Sequence, residues 1–383
     1  MWTSADEPFS RRALGLAMGG RGRVEPNPMV GCVIVRDGQV IGEGFHAAFG
    51  GPHAEPTALS ASTQSPRGAT AYVTLEPCCH TNKKTPPCVP TLIEAGITRV
   101  VIGCLDPNPN VNGAGVRMLR DASIEVDRVP DGLGAECRQL IAPFLVRQQF
   151  QRPYVTMKWA QTADGKVAGH EGMRLQISGD RANAFVHTLR ARSDAIVVGI
   201  NTVLTDDPVL TVRGVPAVRT PERVIIDRKL RTPNDCRLVR TALQLPTVVV
   251  TSLTAPSTNF EPLVERGVRV VWPPAQREDV LLAALAAGDW VQKPYSHVLV
   301  EPGPTLANAF FKAGLCDRLW VIHNSRSIED ASAPTAATVP DWFAKTGELS
   351  LGADTLIEYL NVQSAGYHAT VPSADFTLAQ DLK

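Results

Sequence analysis

The chain has no unbroken apolar run of membrane-spanning length; its most hydrophobic stretches are short and broken by Gly, Pro or charge, which argues against a transmembrane helix. It also lacks an excess of either charge. Lys and Arg number 38 and Asp and Glu 38, so no global field draws it to nucleic acid or an anionic membrane, and an anionic ligand must be held by a local cluster. Aromatic residues are scarce, at 6%, and no basic run stands out, which argues against an RNA-binding appendage. No Gly-x-Gly-x-x-Gly follows an apolar run in the second part, so the ordinary dinucleotide fingerprint is missing. Ser10-Arg11-Arg12 precedes an apolar stretch too short for a twin-arginine export signal, closed off by Arg21 and Arg23. Ala13, Leu14, Leu16 and Ala17 fit the buried stripe of an amphipathic helix instead, and a cytoplasmic protein is expected.

What is present is a globular composition, 44% hydrophobic and 20% charged over 383 residues, enough for two packed cores. In the first part, Val30–Val35, Ala71–Leu75 and Arg99–Gly103 read as strands, Glu55–Ala61 and Val89–Ala95 as helices. A fresh strand, Tyr154–Trp159, follows Pro153, so the boundary is expected near residue 150, giving domains 1–150 and 151–383. Beyond it, strand candidates at Ala195–Gly199, Val224–Asp227, Val248–Thr251, Val268–Trp272 and Val298–Glu301 alternate with helical patterns at Arg181–Arg192 and Val280–Ala287. That alternation predicts a mostly parallel sheet covered by helices. Asn324–Lys345, rich in Ser, Ala, Thr and Pro, reads as a long loop or insertion.

Three of the eight cysteines crowd into residues 78–88, a pattern of metal binding rather than of a disulfide framework; Cys32, Cys104, Cys137, Cys236 and Cys316 read as small buried hydrophobes. His53 opens a predicted helix, Cys78 follows a predicted strand, and Cys88 completes Cys-x9-Cys. One imidazole and two thiolates make three zinc ligands with a fourth position open to water, whose pKa zinc lowers to roughly 7. Glu55, two residues beyond His53, is placed to carry the proton from that water to a leaving amine. The competing reading is a closed structural site with Cys79 or His80 as fourth ligand, which leaves Glu55 without a purpose.

Deaminases that use zinc in this way usually space their cysteines C-x-x-C. The longer Cys-His-x4-Thr-Pro-Pro-Cys here, with Pro26–Val35, Gly42–His46, Pro52–Glu55, Thr74–His80 and Asp106-Pro107-Asn108-Pro109, resembles the deaminase of the riboflavin pathway. The resemblance implies that Asn27, His46, His80 and Lys84 lie around an aminopyrimidine and its ribose phosphate. Cys79 stands where Ser is usual, and the loop with Lys83 and Lys84 is one residue longer than the family pattern, leaving open which lysine faces the substrate.

The second part resembles the reductase of the same pathway through Lys158, Asp164-Gly165-Lys166, Ile177-Ser178, Val198-Gly199-x-x-Thr202, Asp206-Asp207-Pro208-x-Leu210-Thr211-x-Arg213 and Glu301-x-Gly303-Pro304-Thr305. The implied fold is α/β throughout: a cytidine-deaminase-like three-layer α/β/α domain, then a dihydrofolate-reductase-like α/β domain. The implied chemistry is hydrolytic removal of an amino group from a phosphoribosylaminopyrimidine, then reduction of its ribosyl chain to ribityl by NADPH. Lys158, Ser178, Arg190, Asp206, Leu210, Arg213 and Glu301 fall to the substrate, with Arg190 and Arg213 as partners for its phosphate. Gly303, Pro304 and Thr305, read as lying ahead of a helix Leu306–Ala313, and Gly199 and Thr202 fall to the cofactor. Family members are commonly oligomeric through the reductase part, so a homo-oligomer is implied, while no nucleic-acid or membrane partner is expected.

Two departures bear on the second activity. Gln176 stands where the family has Trp, and His323-Asn324-Ser325-Arg326-Ser327 replaces a late Ala-Pro-Lys stretch. Either the packing there is rebuilt around an insertion, or the chain is a deaminase with an impaired reductase. A nucleic-acid-editing deaminase is the third reading, which the neutral charge and few aromatics disfavour.

Overall fold

A computed structural model describes residues 1–81, 85–217, 219–273, 294–364 and 367. The described chain divides into two compact units, Met1–Phe150 and Gln151–Ser364. The helix expected at Val280–Ala287 lies outside the described residues.

In the first unit α1 (Glu7–Ala17) precedes the hairpin β1 (Gly31–Arg36) and β2 (Gln39–Phe45). Then follow α2 (Ala54–Ser60), β3 (Thr70–Leu75), α3 (Cys88–Glu94), β4 (Arg99–Cys104), α4 (Ala114–Asp121), β5 (Glu125–Arg128), α5 (Asp131–Leu140) and α6 (Ala142–Phe150). The sheet order is β2-β1-β3-β4-β5, with β1 antiparallel to both neighbours and β3, β4 and β5 parallel. Both faces are covered, which is why the central strands are apolar runs without alternation. Cys32, Ile34, Ala71, Val73, Val100 and Ile102 pack under α2, α3 and α4; Val33, Val35, Tyr72 and Val101 pack under α1 and α5. Two glycines set the height of α2 above the sheet. A Cβ on Gly42 would lie 2.3 Å from the carbonyl oxygen of Ala58, and one on Gly44 2.4 Å from its amide nitrogen, so any side chain there would push away the helix that carries Glu55.

The second unit is built on β6 (Tyr154–Gln161), α7 (Asp180–Arg192), β7 (Ala195–Gly199), α8 (Ile200–Asp206), β8 (Glu222–Ile226), α9 (Arg237–Arg240), β9 (Thr247–Val250), α10 (Phe260–Glu265) and β10 (Arg269–Val271). It continues through β11 (His297–Val300), α11 (Pro304–Lys312), β12 (Arg318–Asn324), β13 (Phe343–Leu351) and β14 (Asp354–Asn361). Among the described residues the sheet has nine strands, β10-β9-β8-β7-β11-β6-β12-β14-β13, parallel from β10 to β12 and antiparallel in the last pairs. Leu306, Phe310 and Phe311 of α11 cover one face, while Phe185 and Leu189 of α7 pack on Trp320 and Leu299 on the other.

Asn324–Lys345 is less of a loop than its composition suggests, since Asn324 closes β12 and Phe343–Lys345 open β13. The residues between are tied down. Asp164 accepts from the amides of Ile328 at 3.2 Å and Glu329 at 2.9 Å, and Lys166 Nζ donates to the carbonyl of Ala333 at 3.1 Å. The diverged His323 therefore lies within β12, paired with Gln161 of β6 and Thr355 of β14.

Candidate active sites

In the first unit the catalytic chemistry gathers at the carboxyl ends of β3 and β4, where parallel strands feed helices on one face. His53 is the N-cap of α2, with extended backbone at φ −74° and ψ 171°, and Glu55 sits in the first turn, buried. Cys78 follows β3, and Cys88 begins α3. His53 Nδ1 lies 3.6 Å from Cys78 Sγ and 3.4 Å from Cys88 Sγ, and the three donor atoms lie within 4.8 Å of one another. Zinc bonded at about 2.0–2.3 Å in a tetrahedron sets its ligand atoms about 3.5–3.8 Å apart, so the donor set fits the ion in size and in chemistry. Neither Cys79 nor His80 joins this group among the described residues, which leaves the closed four-ligand reading without its fourth donor.

Surrounding groups fix the orientation of the trio. With Nδ1 turned to the sulfurs, His53 Nε2 faces Thr85 Oγ1 at 3.2 Å, a contact in which the ring would donate once Nδ1 is a metal ligand. The Cys88 amide donates to Cys78 Sγ at 3.4 Å. Burial, reinforced by Cys78, raises the Glu55 carboxyl above its ordinary range.

A cavity of about 340 Å³ opens beside the trio, lined by Asn27, His46, His53, Glu55, Cys78 and His80. His46 Nδ1 lies 2.9 Å from the Pro52 carbonyl and Nε2 3.2 Å from Asn27 Nδ2. The first contact needs a proton on Nδ1 and the second a lone pair on Nε2, so the ring is neutral, and burial lowers its pKa. His80 Nδ1 is buried and has no hydrogen-bond partner among the described residues. Lys83 and Lys84 lie outside the described residues.

Asp106, Asn108 and Thr85 also line this cavity, and sequence reasoning gave them no site role. Asp106 is raised to about 6, mainly by burial. Its motif, Asp-Pro-Asn-Pro, was legible, but only the fold brings the end of β4 beside β3. Glu76 is the brace behind it: its buried carboxylate accepts from the amides of Asp106, Gly113 and Val116 at 3.2, 2.9 and 3.1 Å.

In the second unit all twelve residues singled out from the sequence line one cavity of about 1210 Å³: Lys158, Ser178, Arg190, Gly199, Thr202, Asp206, Leu210, Arg213, Glu301, Gly303, Pro304 and Thr305. It exceeds the roughly 300–1,000 Å³ usual for one small ligand, leaving room for a cofactor and a substrate together. Arg190 holds Glu301 in a fork, Nε to Oε1 at 2.6 Å and Nη2 to Oε2 at 2.8 Å, while Nη1 donates to the Thr211 carbonyl at 3.2 Å. Burial alone would raise Glu301, but Arg190 and then Lys158 hold it at about 2. Lys158 itself is lowered by burial, and burial also raises Asp206.

The wall Asp206–Leu210 is strained and pinned. Asp207 and Leu210 have positive φ of 40° and 54°, unusual for side chains with a Cβ. The backbone amide of Arg237 donates to Asp207 Oδ1 at 2.7 Å, and the buried Arg223 guanidinium donates to the Val209 carbonyl at 3.2 Å. At the other wall, Gly303 is the N-cap of α11 and Pro304 and Thr305 its first turn, so the helix starts earlier than the expected Leu306. Pro304 has no N–H to offer, which leaves Thr305 and Leu306 as the free amides there.

A three-layer unit with a His-Cys-Cys donor set fit for zinc, in one chain with a second unit whose cavity is roomy enough for two ligands, defines a bifunctional deaminase and reductase. Residues 3–104 match the cytidine and deoxycytidylate deaminase zinc-binding region, and residues 153–335 match the RibD C-terminal domain. The riboflavin biosynthesis protein RibD of Aquifex aeolicus is 40% identical over 319 residues, 82% of this chain and 86% of that one. That of Escherichia coli is 37% identical over 346 residues, 88% and 91% of the two. A solved structure from Thermotoga maritima, a diaminohydroxyphosphoribosylaminopyrimidine deaminase and 5-amino-6-(5-phosphoribosylamino)uracil reductase, superposes with a TM-score of 0.79. It is 35% identical and covers 93% of this chain and 99% of its own. The chain belongs to the RibD family of bifunctional riboflavin biosynthesis proteins. No described helix is long and apolar enough to cross a membrane.

Proposed function

We propose that this chain catalyses two consecutive steps of riboflavin biosynthesis, deamination in residues 1–150 and reduction in residues 151–383. The substrate is 2,5-diamino-6-(5-phosphoribosylamino)pyrimidin-4-one. The observation that carries the reading is the presence, in one chain, of the His53, Cys78 and Cys88 donor set beside a buried Glu55 and of a second cavity lined by Lys158, Asp206 and Glu301.

His53, Cys78 and Cys88 would hold zinc, which when bound would supply Lewis-acid activation of water. Glu55 accepts the proton of the attacking water and delivers it to the amine that leaves as ammonia, so the ring carbon exchanges nitrogen for oxygen. Asn27, His46 and His80 hold the ring, the neutral His46 fixed by Pro52 and Asn27. A lysine at 83 or 84 meets the phosphate.

NADPH, when bound in the second cavity, would supply the hydride that reduces the sugar carbon. Asp206, raised by burial, and Lys158, lowered by it, are suited to exchange a proton with the ribose oxygen as the ring opens. Glu301, fixed by Arg190, and Ser178 and Leu210 position the sugar. Because the Arg190 fork is spent on Glu301, Arg213 is the better phosphate partner of the two. Gly199, Thr202, Gly303, Pro304 and Thr305 face the cofactor. The protein works in the cytoplasm, as a homo-oligomer through the reductase part.

Zinc-loaded protein given the diaminopyrimidinone phosphate is expected to release ammonia and then oxidise NADPH. Ammonia alone, with added deaminated intermediate also left unreduced, would reduce the proposal to a deaminase with an inactive second domain.

A further inference from the structure

One face of α7 carries three polar side chains, Asn183, His187 and Arg190, spaced i, i+4 and i+7, while Ala182, Phe185, Val186 and Leu189 pack its other face into the core. Each of the three grips the wall of the reductase cavity. Asn183 Nδ2 donates to the carbonyl of Ser178 at 3.3 Å, Arg190 Nη1 donates to that of Thr211 at 3.2 Å, and the Arg213 amide donates to His187 Nδ1 at 3.2 Å. Asn183 and Arg190 line the cavity, whereas the half-buried His187 stands behind the wall. Sequence reasoning gave His187 no role.

The contact fixes the state of the ring. A backbone amide only donates, so Nδ1 offers its lone pair, and the ring that accepts is neutral with its proton on Nε2. A proton on Nδ1 would set two N–H groups against each other. The charged groups facing the ring are Arg190 on its own helix, Arg213 on the wall and Glu301 after β11. Burial, then the two cations, lower the imidazole below its ordinary 6.5, against the Thr211 carbonyl and Glu301. His187 and Arg190, one helical turn apart, hold the Arg213 amide and the Thr211 carbonyl, so the backbone leading into Arg213 is fixed at two points. From that backbone the exposed Arg213 side chain reaches the cavity it lines. Release of one point lets the guanidinium drift, which weakens a group that must meet phosphate as a fork.

We propose that His187 is a positioning residue of the reductase, which holds Arg213 toward the substrate's phosphate only as the neutral ring and so gives substrate affinity an acid limb. The proposal rests on the reading of Arg213 as the phosphate partner. Its test is the reductase assay of the full zinc-loaded chain with deaminated intermediate and saturating NADPH. KM is measured from roughly pH 8 to 5, the span in which histidine changes charge, for the wild type, H187Q, H187L and R213Q. Glutamine can accept from the Arg213 amide and does not titrate, whereas leucine cannot accept. The substrate phosphate's own ionisation near pH 6 falls on every variant alike, so the ratio of KM to that of H187Q isolates the ring. For the wild type this ratio is expected to lie within about threefold of one at the alkaline end and to rise about 3- to 10-fold at the acid end, the range of one neutral hydrogen bond. H187L should show the raised KM at every pH, with kcat lowered less than about twofold. With R213Q raising KM, three results would overturn the proposal alone: a flat wild-type ratio, a KM that falls toward acid pH because the cationic ring meets the phosphate, or an H187L equal to wild type at the alkaline end. An R213Q with the wild-type KM would overturn the phosphate reading of Arg213, and this inference with it.

Discussion

Replacing Glu301 with glutamine removes the anion that Arg190 and Lys158 share and leaves two cations facing each other inside the reductase cavity. The pair is well shielded, with side chains 13% and 16% exposed for Arg190 and Glu301. The fall of the carboxyl from 4.5 to about 2 corresponds, at about 1.4 kcal/mol per tenfold change in proton affinity, to about 3 kcal/mol of preference for the ionised form. E301Q is therefore expected to cost the second unit about 3 kcal/mol at pH 7, a fall in Tm of roughly 6–12 °C for a unit of this size. The sign of the pH dependence follows from the direction of the shift. A carboxyl lowered in the folded state contributes fully above its ordinary value of 4.5 and loses that contribution as pH falls through about 2. The gap between wild type and E301Q should thus be constant from pH 7 to about 5 and shrink steadily below 4.5. Five of the six tryptophans lie beyond residue 150, so their fluorescence in urea follows this unit. A double variant, R190M/E301Q, should lose less than the sum of its parts, because the second change removes a charge that the first left unpaired. A gap unchanged between pH 7 and pH 3, or strict additivity in the double variant, would refute the account of this pair.

Three further outcomes follow from the sites. C88S should lose bound zinc by elemental analysis and all ammonia release, yet still oxidise NADPH when given the deaminated intermediate. E55Q should keep its zinc while deamination falls about 10²- to 10⁴-fold, the span of general acid–base catalysis; loss of the metal instead would make Glu55 a ligand. R223M should lower stability by about 3–5 kcal/mol, because Arg223 satisfies the carbonyls of Val209, Leu238 and Leu245 and the hydroxyls of Thr241 and Thr247; unfolding in urea measures it, and R223K should recover only part.

Local patterns in the sequence determined a good deal. Apolar runs too continuous for a one-sided sheet marked the central strands, and Ala195–Gly199 was bounded as observed, because burial on both faces leaves its print on every residue of a strand. The zinc donors were legible because metal chemistry restricts residue type so tightly that one His and two Cys near helix starts and strand ends have few other uses. The β2 strand was not read as one: Gly42 and Gly44 look like breakers, and only the packing of α2 above them explains why they sit inside a strand. The first turn of α11 was also missed, because Gly-Pro reads as a loop until the N-cap geometry of Gly303 is seen. The start of the closing hairpin β13–β14 is not legible in the sequence, since a composition of small and polar residues does not reveal that β14 pairs with β12.

Tertiary structure alone decided which distant residues meet. The Arg190–Glu301 fork spans 111 positions and the Thr85–His53 contact 32, and neither separation carries a periodic signal. Periodicity reports which face of an element is buried, but not which element lies opposite. That choice is made by strand order and register: β11 beside β7 and β6 carries Glu301 to Arg190 and Lys158, and β4 beside β3 carries Asp106 to the zinc donors.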